Sequence, residues 1–201
     1  MNRVPSIPEK GEVKKLSHWA RVALAARCAR RLQPLLGRVW SSISQEDTET
    51  IESDISAIET AVENAQSIEN AEEFVDDILY VLKNFTSYPK SQKVRRENHP
   101  GYYCIQVVFC AMKSVDETNT GNQAWEACEC CEKIGDTCYG PGFRENLLRH
   151  IFWDHQKLKA QSNRCDSTPV PQGFLGPLWD PGKEPDWDKV SDDMKQKIKD
   201  S

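Results

Sequence analysis

The stretch from His18 to Trp40, HWARVALAARCARRLQPLLGRVW, constrains the fold more than any other part of the chain. Val22, Ala25, Ala29, Leu32, Leu36, Val39 and Ile43 recur three or four residues apart, which lays them along one stripe of an α-helix. The alanines at positions 20, 23, 25, 26 and 29 favour the helix intrinsically and let neighbouring helices approach closely. Arg21, Arg27, Arg30, Arg31 and Arg38 fall between the apolar positions and form a basic flank. The rest of the chain is expected to pack around this helix. Its expected span is 15–42, with a kink or break near Arg30 to Pro34, because proline has no N–H for the Arg30 carbonyl and clashes with it.

The pattern downstream stays helical. Ser44, followed by Gln45, Glu46 and Asp47, reads as a cap with acids in the first turn, and Ile51, Ile55, Ile58 and Val62 continue at helical spacing. Asn70 is a second candidate cap, ahead of Phe74, Ile78, Val81, Leu82 and Phe85, in a helix that must end before Pro89. KSQKVRRENHPG reads as a long basic loop. YYCIQVVFCAM is apolar nearly all round, as in a helix buried on most sides. Ala124, Trp125, Cys128 and Cys131 mark a short amphipathic helix ending near Gly135; Pro141 and Gly142 open a longer one carrying Leu147, Leu148, Ile151, His155 and Leu158. After Ser162, five prolines and three glycines between Pro169 and Pro185 rule out regular structure. Phe174, Leu175, Leu178, Trp179 and Trp187 nevertheless make that segment too apolar for a free tail. Ser191 is expected to cap a short terminal helix.

These patterns predict an all-α protein: residues 1–14 as an extended arm, 15–162 as a single-domain bundle of about six helices, and 163–201 as an irregular Pro-rich strap with a short terminal helix. The length of 201 residues suits one core. A mean hydropathy of -0.65 and the lack of any apolar run of transmembrane length argue against a membrane protein. The opening MNRVPSIPEKGEVKKL has no signal-peptide core, so the expected location is the cytoplasm, where the eight cysteines would stay mostly reduced.

Charge is distributed unevenly. Met1 to Ser42 holds nine Lys or Arg against two acids, a balance of +7, while Ile43 to Tyr88 holds twelve acids against one lysine, a balance of -11. Either the first two helices pack side by side and neutralise each other, or the acidic face binds a basic protein. Glu52, Glu59 and Glu63 are the candidate partner-binding acids, joined by Trp179 and Trp187, because tryptophan is enriched at binding hot spots. The structural alternative for the tryptophans is to pin the strap to the body. Arg27 and Arg31, one turn apart, are expected to form a salt-bridge seam to Glu52, Glu59 or Glu63 rather than an anion clamp. Nucleic acid is not an expected partner, since the bases are outnumbered and no recognition motif accompanies them.

The catalytic vocabulary is thin. No Gly-rich phosphate loop and no convincing Ser-His-Asp or Cys-His set is present, so no enzyme is expected. Cys128 and Cys131 have CxxC spacing, and Cys138 with His150 could complete a zinc site, with Cys165 or His155 as substitutes. Without a second CxxC or HxxxH, buried thiols are the simpler reading, and no cofactor is expected. His150, Asp154 and His155 are read as hydrogen-bonding groups, with a metal or acid-base set as the alternative.

The run AARCARRLQPLL resembles the opening helix of bacterial immunity proteins of the Imm-five type, through Ala25, Ala26, Cys28, Ala29, Arg31, Pro34 and Leu35. TPVPQGFLGPLWDPGKEPDW is similar to the ending of uncharacterised bacterial proteins that share such a helix. The first resemblance implies a small helical protein that neutralises a cognate toxin by direct contact. Two other classes stay open: an accessory or regulatory subunit of a bacterial defence or signalling complex, using the strap and basic loop, and a zinc-binding protein using the Cys128 to Cys138 cluster.

Overall fold

A computed structural model of the chain describes residues 6–40, 43–86, 99–116, 120–137, 141–161, 167–171 and 173–200. Among these are eight helices and no strand: α1 (Lys10–Lys14), α2 (His18–Val39), α3 (Gln45–Asn64), α4 (Ala71–Thr86), α5 (Pro100–Lys113), α6 (Thr120–Asp136), α7 (Pro141–Gln161) and α8 (Trp187–Asp200). No described helix is long and apolar enough to cross a membrane.

α2 is the axis of the bundle, packed against α3, α5, α6, α7 and α8. Fifteen of its 22 residues are buried, so it is covered nearly all round rather than along one stripe. The alanines make this possible: Ala20, Ala23, Ala25, Ala26 and Ala29 are all buried and allow helices to approach from several sides. Leu24, Leu32 and Leu35 have no exposure, and each contributes roughly 2 kcal/mol of burial to that core. The helix is not broken at Pro34. It runs through the proline to Val39, held by neighbours along its length, and Arg38 donates to the Pro34 carbonyl at 2.7 Å.

The remaining elements follow local chemistry. The Ser44 side chain accepts from the Asp47 N–H at 2.9 Å, the N-cap expected of α3. Asn70 precedes α4 but takes a left-handed φ of 59°, and its carbonyl rather than its side chain receives the Glu73 N–H. Pro100 and Gly101, expected to close a loop, instead open α5, where the His99 ring accepts from the Gly101 N–H at 3.1 Å. The basic residues Lys90 to Arg96 lie outside the described residues. α5 is helical, not extended, and sits between α2, α4 and α6. Gly135 lets α6 and α7 cross closely: a Cβ there would meet Arg144 Cγ at 2.8 Å.

Two helices depart from the expected plan. Within the predicted extended arm, α1 buries Val13 and packs on α6, tied to α7 through Glu12 and Lys159. The terminal helix α8 begins at Trp187, not Ser191. Between α7 and α8 the described strap has no regular structure and turns at Gly173, Gly176 and Gly182, whose φ values of 80°, 76° and 73° disfavour other residues. It has few backbone partners of its own. Side chains of the body supply them instead: Arg27 reaches the Pro177 carbonyl at 2.8 Å, Arg31 that of Leu178 at 3.1 Å, Lys157 that of Leu175 at 2.6 Å, and Asn146 that of Lys183 at 2.8 Å.

Candidate functional site

The centre of the molecule holds a buried ionic cluster. Arg31 has no solvent exposure, and its Nη2 lies 2.7 Å from Asp154 Oδ2 on α7, close enough for an ion pair but out of line for a good hydrogen bond. Arg27, one turn earlier, donates to the same oxygen through Nε at 3.3 Å. Two guanidinium groups therefore share one carboxylate. Above them sits the strap: the Arg31 guanidinium stacks 5.7 Å over Trp179, and His150 meets that ring edge-on at 5.2 Å. Trp179 in turn meets Trp187 at 5.8 Å.

This geometry corrects two expectations. Arg27 and Arg31 are not a seam to α3; their carboxylate is Asp154, 127 and 123 positions away, and it is Arg30 that pairs with Glu59, at 3.1 and 2.6 Å. Trp179 and Trp187 are not an exposed partner surface, since they are 7% and 8% exposed and anchor the strap. Glu52, Glu59 and Glu63 do share one stripe of α3, but it flanks the contact with α2. Glu52 is exposed, Glu59 is half-buried against Arg30, and Glu63 lies half-buried in a cleft under the strap.

Opposite that stripe, Asp54 is 1% exposed and its Oδ2 has no partner; burial, aided by Asp77 on α4, pushes its carboxyl up to about 7. His99, His150 and His155 are all held below the ordinary histidine value by burial. Of the expected His150, Asp154 and His155 set, only Asp154 joins the ionic cluster directly.

The six described cysteines are free and buried. Cys128 faces Cys28 on α2 with the sulfurs 3.9 Å apart. Hydrogen bonds from Cys128 and Cys131 pull the Cys28 thiol well below its ordinary value, and the same contact and burial push Cys128 and Cys131 up. The CxxC pair thus faces a thiol 100 positions away that its spacing did not indicate. Cys138 and Cys165 lie outside the described residues. Among the described residues, no group of three His, Cys, Asp or Glu side chains is placed to hold a metal ion.

A cleft of about 400 Å³ opens between α2, α3 and the strap. Its apolar lining is Ala23, Ala26, Val62, Val170 and Leu175, and its charged lining is Arg27, Glu59 and Glu63. The Val170 N–H donates to the Val62 carbonyl at 3.1 Å and closes one end.

The outer face of α4 is of a different kind. Leu79 and Tyr80 are 44% and 62% exposed, with Glu72, Glu73, Asp76 and Asp77 exposed in the two turns before them and Lys83 exposed in the turn after, on the side of the helix away from α5 and α3. The acidic stretch 43–88 points to α4 as well as to α3, but the residues expected to bind are Glu52, Glu59 and Glu63 of α3, and Leu79 and Tyr80 are not among them. No protein-family model, curated protein or solved structure matches the chain.

Proposed function

We propose that this is a non-enzymatic binding protein that engages a basic protein partner through the outer face of α4, in the manner of an immunity protein neutralising a toxin by direct contact. The observation that carries the reading is the exposure of Leu79 and Tyr80 next to four exposed carboxylates in the two preceding turns of α4. Leu79 and Tyr80 are adjacent and together form a small apolar patch, in which a tyrosine can act as a rigid anchor at low entropic cost. The neighbouring carboxylates steer a basic surface toward the face and set its orientation, mainly through the association rate.

The test compares tagged wild-type protein with Tyr80→Ala and Asp76→Lys in native cells. Both positions are exposed, so the variants should keep the wild-type unfolding midpoint. The expected result is a stoichiometric partner with a basic surface, captured by the wild type and reduced about tenfold or more by either substitution. A partner captured equally by all three proteins would refute the role of α4. Metal content read from the same preparation tests the zinc reading separately.

A further inference from the structure

We propose that the cleft between α2, α3 and the strap is a binding site for a small zwitterion, a molecule of amino-acid to dipeptide size with one carboxylate, one ammonium and an aliphatic body. The charges lining the cleft are unequally satisfied. Arg30 neutralises Glu59 in a two-bond pair. Glu63 has no partner among the described residues, which leaves one negative charge on the α3 wall. On the α2 wall stands Arg27, whose only carboxylate partner among the described residues, Asp154, is shared with the buried Arg31 outside the cleft, so its positive charge is only partly matched.

A ligand with only one charge would match one wall and leave the other unmatched. A zwitterion places its carboxylate toward Arg27 and its ammonium toward Glu63, with charge-assisted hydrogen bonds at both ends. Ala23, Ala26, Val62, Val170 and Leu175 offer an aliphatic side chain the apolar contact that such sites commonly provide. The volume of about 400 Å³ lies within the range of small-molecule sites. The site is independent of α4, so it stands or falls apart from the proposed partner surface.

The experiment is calorimetric titration of the full chain with leucine, 6-aminohexanoate and alanyl-leucine, beside isoamylamine and 4-methylpentanoate, which each keep one charge of leucine. At least one zwitterion should bind saturably, and its single-charge analogues should bind about tenfold or more weakly. Glu63→Gln should weaken the zwitterion by a similar factor and leave 4-methylpentanoate unchanged, while Glu52→Gln, on the same helix but outside the cleft, should alter neither. In amide NMR spectra the largest shifts should fall on Gly173, Gly176 and Glu63. The proposal is overturned if no zwitterion binds at about 10 mM, if a single-charge analogue binds as well, or if Glu63→Gln has no effect.

Discussion

Arg31 and Asp154 meet at 2.7 Å across the interface of α2 and α7, one side chain with no solvent exposure and the other with almost none. Taking both charges out of water is costly, and the cost is offset only while both remain. Asp154 also serves Arg27, so the two partners are not equivalent. Asp154→Ala strands two guanidinium groups and should destabilise by about 3–5 kcal/mol. Arg31→Met leaves the Arg27–Asp154 contact in place and should cost clearly less. Urea unfolding of the two variants checks the order; equal losses would mean that Arg27 does not share the carboxylate.

Asp54 makes stability depend on pH. Its carboxyl is raised from an ordinary 3.8 to about 7, so the folded state holds the proton more tightly than the unfolded chain. Stability contributed by the protonated carboxyl is therefore full below about pH 4 and is lost as pH rises toward 7, on the order of a few kcal/mol. His99, His150 and His155, held low, act in the other sense and reduce stability as pH falls below the ordinary histidine value near 6.5. Asp54→Asn keeps the histidine contribution and removes the other. The difference in unfolding free energy between Asp54→Asn and wild type should thus grow in favour of the variant from pH 4 to 7, and a constant difference would place Asp54 in contact with water.

Trp179 is predicted to hold the strap down. It contacts Arg31, His150 and Trp187 and is 7% exposed, so Trp179→Ala should cost about 3–5 kcal/mol and remove much of the near-ultraviolet circular dichroism. Trp153, on the outer side of α7 and 54% exposed, is the control: Trp153→Ala should stay within about 0.5 kcal/mol.

The buried thiols should be inert until the bundle opens. Cys28, Cys104, Cys110, Cys128, Cys130 and Cys131 should resist iodoacetamide in native buffer and react fully in urea, as read by peptide mass spectrometry. Alkylation of Cys128 or Cys131 in the native protein at the rate of an exposed thiol would mean that the contact between α2 and α6 opens readily.

Much of the architecture was legible along the chain because it depends on short-range periodicity. The apolar spacing in α2, α3 and α7, the Ser44 cap and the Pro-rich strap each follow from residues within a turn or two of one another. Of the kink or break expected near Pro34, the break does not occur, for the complementary reason. A proline's local penalty can be carried by packing on several sides, and that packing comes from helices distant in sequence.

The sequence by itself determined that the chain is helical, where its central helix lies and that charge is divided between α2 and α3. Only the tertiary structure decided which charges meet. Arg27 and Arg31 turn to Asp154, Arg30 to Glu59, Cys28 to Cys128, and the two strap tryptophans turn inward. Periodicity assigns a residue to a face of its own helix but does not say which helix arrives there. Five helices pack on α2, so the rotation of about 100° from Arg30 to Arg31 separates an arginine facing an acidic helix from one facing a buried aspartate.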